Sequence, residues 1–115
     1  MSLSAQETIE KTTMALSVLS SAIERDQKNP QLRFQKAHIL MTLDQYDEAL
    51  VELQEVEVLA PQEPPVHALL GQIYARRGDN KAAMKHITVA MTLDPKEANA
   101  LKAIMEGLEE VPQVF

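Results

Sequence analysis

The 115-residue chain has no cysteine and no tryptophan, and only three glycines, two phenylalanines and two tyrosines. Without cysteine there is neither a disulfide framework nor a thiolate-ligated zinc site. With so few aromatic side chains, a core must be built from Leu, Ile, Val, Met and Ala, which suit packed helices better than a sandwich of strands. No segment approaches the roughly 20 apolar residues that span a bilayer, and "MSLSAQETIE" lacks the basic start and apolar run of a secretory signal. Positive charge is also scarce: 11 Lys and Arg against 17 Asp and Glu leave a net charge of −6. That balance repels phosphate backbones and anionic lipid. The expected setting is intracellular, with neither nucleic acid nor membrane as a partner.

Signs of chemistry are equally thin. No nucleophile elbow, phosphate-binding glycine loop or Cys–His pairing occurs. The histidines His38, His67 and His86 fall on three different expected helices, without the i, i+4 spacing of a helical metal site. Asp47, Glu48, Glu52, Glu55 and Glu57 crowd one stretch and read as a solvated outer helix face. The expectation is therefore no enzyme, no metal and no cofactor.

What the chain does have is periodic apolar patterning. From Pro64, Val66, Leu69, Leu70, Ile73 and Tyr74 recur at helical intervals, and Arg76, Arg77 and Gly78 supply a helix stop before Asp79 or Asn80 caps the next helix. That next helix carries Ala83, Ile87, Ala90 and Met91 on one face and stops before Asp94 and Pro95. The same plan lies upstream. Leu32, Ile39, Leu40 and Leu43 mark one helix, and Ala49, Leu50, Leu53, Val56 and Ala60 mark its partner. The prolines that end the two hairpins, Pro61 and Pro95, differ in position by 95 − 61 = 34, the length of one tetratricopeptide unit. After Pro95, residues Ala98, Leu101, Ile104, Met105 and Leu108 continue the spacing as a capping helix, with Asp94 as its cap. At the front, Ser4 and Glu7 suggest a capping box, and Ile9, Leu16, Leu19 and Ile23 mark one long helix. Its Ala15, Leu19 and Ala22 sit one repeat length before Ala49, Leu53 and Val56, as in a piece of a longer array.

The expected fold is all-α: a right-handed tetratricopeptide superhelix of antiparallel helix pairs in one domain, residues 1–115. Residues 1–29 form a partial repeat, 30–63 and 64–95 two complete repeats, 96–110 a capping helix and 111–115 a tail. The packing signature is Ala37 and Ala49 in the first repeat and Leu70, Gly71, Tyr74, Ala83, Ala90 and Pro95 in the second. Glycine within a helix costs about 1 kcal/mol relative to alanine, so Gly71 points to close approach of another backbone. Arg33, Lys36, His67 and Ile87 depart from the usual repeat pattern. On the first helices of the hairpins, a second stripe of Gln31, Phe34, His38, Met41 and Thr42, with Gln72 and Arg76 on the next, suits an extended peptide. Phe34 and Met41 would make apolar contacts and Arg76 would meet a carboxylate; alternatively, Phe34 and Met41 pack against the preceding helix.

The pieces "KNP" before Phe34, "ALVELQE" at 49–55 and "AMTLDPKEAN" at 90–99 make residues 15–99 resemble the C-terminal tetratricopeptide repeats of a scaffold-subunit family of the anaphase-promoting complex, its third subunit. The resemblance implies a nuclear and cytoplasmic ubiquitin-ligase assembly acting in the cell cycle. In that family the subunit dimerises and holds activator proteins by their C-terminal Ile-Arg tails, so peptide tails or neighbouring subunits are the implied partners. The alternative is an unrelated tetratricopeptide adaptor or co-chaperone binding another peptide. The chaperone-tail clamp of that class places Lys and Asn where Phe34 and His38 stand here. Two complete repeats are fewer than the roughly three that a stable array needs, so self-association of the isolated chain is expected.

Overall fold

The structure, a computed structural model, describes residues 3–109; the expected tail at 111–115 lies outside them. The described residues form α-helices and one 3-10 turn, with no strand among them. In chain order these are α1 (Leu3–Arg25), α2 (Pro30–Thr42), α3 (Tyr46–Leu59), α4 (Pro64–Arg76), α5 (Asn80–Leu93), the 3-10 turn Pro95–Glu97 and α6 (Ala98–Glu109). The chain divides into two compact units, Met1–Ala60 and Pro61–Phe115.

In the first unit α2 packs between α1 and α3. Asn29 opens α2: its side-chain oxygen accepts the backbone N–H groups of Gln31 and Leu32, and Pro30 occupies the first helical turn. The turn into α3 is made by Asp44, whose φ of 60° lies in the left-handed region, and its carboxylate accepts the Tyr46 hydroxyl at 3.0 Å. The buried residues are Ile23 from α1, Ala37 and Leu40 from α2, and Ala49, Leu50, Leu53 and Val56 from α3. The expected face is buried on α3, while on α2 Leu32, Ile39 and Leu43 are half-buried and on α1 Ile9 is 45% exposed, because that end of the helix has no partner packed on it among the described residues. Helix α1 starts at Leu3, so Ser4 is a helical residue and not the cap expected of it. Thr8, Thr12, Thr13 and Ser20 each donate a hydroxyl to the carbonyl four residues back, which lets a polar helix keep its side chains satisfied.

In the second unit α4 packs on α5 and α5 on α6. Gly78 closes α4 with φ 81°, and the Asp79 carboxylate accepts the Ala82 N–H to open α5. Val66, Leu70, Gly71 and Ile73 of α4 and Ala83, Ile87 and Ala90 of α5 are buried. A methyl group at Gly71 would stand 2.6 Å from Ile87 Cγ1 and 3.2 Å from the Ala83 carbonyl oxygen. The expected close approach is therefore real, and it is α5 that approaches. Leu101 and Met105 of α6 pack with Ile87, Ala90 and Met91, while Lys102 and Glu106 face solvent. The side chains of Ala98, Ile104 and Leu108 lie outside the described residues. The expected start of the capping helix shifts: Asp94 accepts the Lys96 N–H, Pro95 begins a 3-10 turn, and the α-helix starts at Ala98.

Candidate interaction surface

Within the first unit, α1 and α2 leave between them an open cleft of about 540 Å³, lined by Ala15, Val18, Leu19, Phe34, Gln35, His38 and Ile39. Helical spacing explains the lining. Ala15, Val18 and Leu19 share one face of α1, and Phe34, Gln35, His38 and Ile39 share one face of α2. The walls are largely apolar, with the Gln35 amide and the His38 imidazole as polar handles. Beside the cleft, Val18 is 67% exposed and Met14, one turn earlier, 69% exposed. Large apolar side chains left this open mark a surface that gains by being covered.

Phe34 and His38, expected on the binding stripe, come together at this cleft; Phe34 is half-buried and His38 exposed. Met41 is half-buried, and Gln31 and Thr42 are exposed. The Thr42 hydroxyl donates to the His38 carbonyl at 3.1 Å, which ties it to its own helix. Gln72, half-buried, and Arg76, exposed, belong to α4 in the second unit. The α1 half of the cleft lies outside the sequence stripe, because Ala15 signals repeat register, Leu19 marks both that register and the apolar face of α1, and Val18 fits neither pattern. The exposed apolar pair Met14 and Val18, an i, i+4 spacing, is the signal that points to it.

Most of the packing signature is internal, and none of it lines this cleft. Ala37, Ala49, Leu70, Gly71, Ala83 and Ala90 are buried, Tyr74 is half-buried and Pro95 is exposed. The acidic stretch of α3 is less uniform than a solvated face. Asp47, Glu48 and Glu55 are exposed, but the half-buried Glu52 receives Arg33 at 3.0 Å and Lys36 at 3.3 Å. The two cations on α2 that break the repeat pattern thus have a common acceptor on α3.

The histidines do occupy three helices, yet two of them meet. Nδ1 of His67 on α4 and Nδ1 of His86 on α5 are 3.2 Å apart, and His67 Nε2 lies 2.8 Å from the Pro61 carbonyl oxygen. Because a carbonyl only accepts, His67 Nε2 carries the proton and its Nδ1 accepts from His86 Nδ1–H. Tyr74 stacks on the His86 ring at 5.5 Å and 9°. No sequence pattern signals a pair separated by a helical turn and a crossing.

Models of the tetratricopeptide repeat match residues 10–73 and 64–97. The chain is 39% identical over 95 residues to anaphase-promoting complex subunit 3 of Schizosaccharomyces pombe, a match covering 83% of this chain and 14% of that protein. It is 41% identical over 96 residues to cell division cycle protein 27 homolog A of Arabidopsis thaliana, covering 82% of this chain and 13% of that one. The chain thus spans a small part of the length of these relatives. Among solved structures, MamA of strain AMB-1 aligns with a TM-score of 0.69 and 28% identity, over 76% of this chain and 51% of that one. The Yersinia enterocolitica type III secretion translocator chaperone SycD aligns with a TM-score of 0.81 over 91% of this chain and 77% of that one, at 16% identity, a likeness of fold alone. No helix among the described residues is long and apolar enough to cross a membrane.

Proposed function

The chain belongs to the tetratricopeptide repeat family, and we propose that residues 1–115 are a non-catalytic protein-interaction module from a scaffold subunit of the anaphase-promoting complex. The module works in the nucleus and cytoplasm, and it holds peptide tails or neighbouring subunits. The observation that carries this reading is the apolar cleft of α1 and α2, with Phe34 and His38 in its lining and Val18 and Met14 open to solvent. Seating one Leu- or Ile-sized side chain there contributes about 1.5–3 kcal/mol, enough to anchor an extended segment whose backbone meets Gln35 and His38.

The test is binding of fluorescent peptides to the full chain: one ending in Ile-Arg, the same peptide amidated, and an acidic chaperone tail. The free Ile-Arg carboxylate is expected to bind best, and Phe34→Ala or the exposed Val18→Asp to weaken it about tenfold, the loss of one buried anchor. Preference for the chaperone tail would replace this reading with that of a co-chaperone adaptor. The exposed apolar face of α1 also predicts that the isolated chain associates with itself. Light scattering should show a mass rising with concentration, and Met14→Lys with Val18→Lys should abolish the rise. A monomer at every concentration would refute the association.

A further inference from the structure

The pair His67 and His86 lies apart from the cleft and plays no part in the proposed scaffold role. His67 is 5% exposed, and it is the one buried polar side chain among the described residues. His86, on the facing helix, is half-buried. Two imidazole nitrogens 3.2 Å apart have the separation of neighbouring ligands on a tetrahedral ion, where metal–nitrogen bonds of about 2.0–2.1 Å place them roughly 3.3 Å apart. The outer partner is present as well. The Pro61 carbonyl at 2.8 Å from Nε2 holds the His67 tautomer that leaves a lone pair on Nδ1, which is how metal-binding imidazoles are commonly oriented.

We propose that His67 and His86 supply two ligands of a binding site for a divalent transition-metal ion of the zinc class. The two rings are nearly coplanar, with centroids 5.4 Å apart and planes at 23°, so their nitrogens face edge to edge across a shared proton. On binding, the His86 proton leaves Nδ1 for solvent and Nε2 takes one up. Both rings stay neutral and both Nδ1 lone pairs become ligands. Swings of both rings within their own planes aim them at an ion beside the line between them, and such a swing keeps the stack of His86 on Tyr74. Nitrogen donors favour zinc, nickel and copper over magnesium or calcium, which prefer oxygen.

The first hairpin supplies the control. Subtracting the repeat length, 67 − 34 = 33 and 86 − 34 = 52, so Arg33 and Glu52 hold the equivalent positions and pair at 3.0 Å. The double substitution His67→Arg with His86→Glu therefore installs a pair that the equivalent crossing of the first hairpin accommodates. The experiment is thermal unfolding of the full chain with zinc chloride or magnesium chloride, together with NMR of the imidazole signals. Zinc at roughly tenfold over its dissociation constant should raise Tm by about 6 °C and shift the His67 and His86 resonances. Magnesium should do neither, and His38→Ala should leave the zinc response intact. The double variant should fold and lose the response. An unchanged response in the double variant, an equal response to magnesium, or no movement of either imidazole signal would each overturn the site.

Discussion

The hairpins α2–α3 and α4–α5 are two copies of one frame, set one repeat length apart, in which different side chains solve the same local problems. At the equivalent position the first has the fully buried Ala37, and the second has Gly71, where a methyl group would meet Ile87 Cγ1 at 2.6 Å. Leu53 stands where Ile87 does, one repeat earlier, and its Cβ carries no branch to collide with a neighbouring methyl. In the next row an ion pair of Arg33 and Glu52 answers to the imidazole pair of His67 and His86. The entry and turn differ too. Asn29 caps α2 with its side chain, while Glu63 leaves α4 without a side-chain cap; Gln45 leaves α3 so, while Asp79 caps α5. The left-handed residue is Asp44 in one and Gly78 in the other. Shape is kept between the copies where backbones meet, and chemistry is free to change as long as each polar group keeps a partner.

The largest way to disturb this correspondence is at the crossing. Gly71→Ala is expected to destabilise the chain by about 2 kcal/mol, since overpacking against Ile87 and the Ala83 carbonyl outweighs the gain in helix propensity. Adding Ile87→Leu, which copies the first hairpin, should recover most of that loss. Urea unfolding followed by circular dichroism measures both, and failure of the second change to rescue would show that the backbones, not the side chain, set the distance.

Glu52→Gln comes next, because it leaves Arg33 and Lys36 without their common carboxylate. With these side chains 18%, 23% and 13% exposed, a loss of about 1 kcal/mol is expected, shrinking as salt is raised. A loss that ignores salt would mean that Glu52 acts by packing instead.

Similar in size but opposite in sign is Glu63→Asn, which copies Asn29 to the start of α4. The backbone at Glu63, φ −101° and ψ 109°, already matches that at Asn29, φ −86° and ψ 107°. About 1 kcal/mol of stabilisation should follow as the new side chain takes up orphan N–H groups. The smallest expected effect is Asp44→Gly, a gain of about 0.5 kcal/mol from relief of the left-handed residue, partly offset by the lost Tyr46 hydroxyl contact. Thermal unfolding of each variant decides these signs.

The helices themselves are legible along the chain. Pro30 and Pro64 start helices, Gly78 and Asp79 mark a turn, and the apolar positions of α3, α4 and α5 form the buried faces. These signals are local, since a capping oxygen or a left-handed residue acts within one turn of its own position. Less legible are Asp44, because glycine usually takes that conformation, and the start of the last helix, where Asp94 and Pro95 favour a tight turn before α-helix resumes. Of the expected binding stripe, Phe34 and His38 lie at the cleft, whose other wall is α1.

Periodicity in the residues alone thus determined that the chain is helical, that its rods come in pairs at a fixed repeat, and which side of α3, α4 and α5 is dry. These follow from the fixed 3.6-residue turn and from the cost of leaving apolar faces in water. Only the packed fold decided which side chains meet across a crossing: Arg33 with Glu52, His67 with His86, Gly71 beneath Ile87. Such meetings depend on how far apart two helix axes lie and how they are rotated about themselves. Those quantities are set jointly by every side chain between the helices, and no single stretch of sequence contains them.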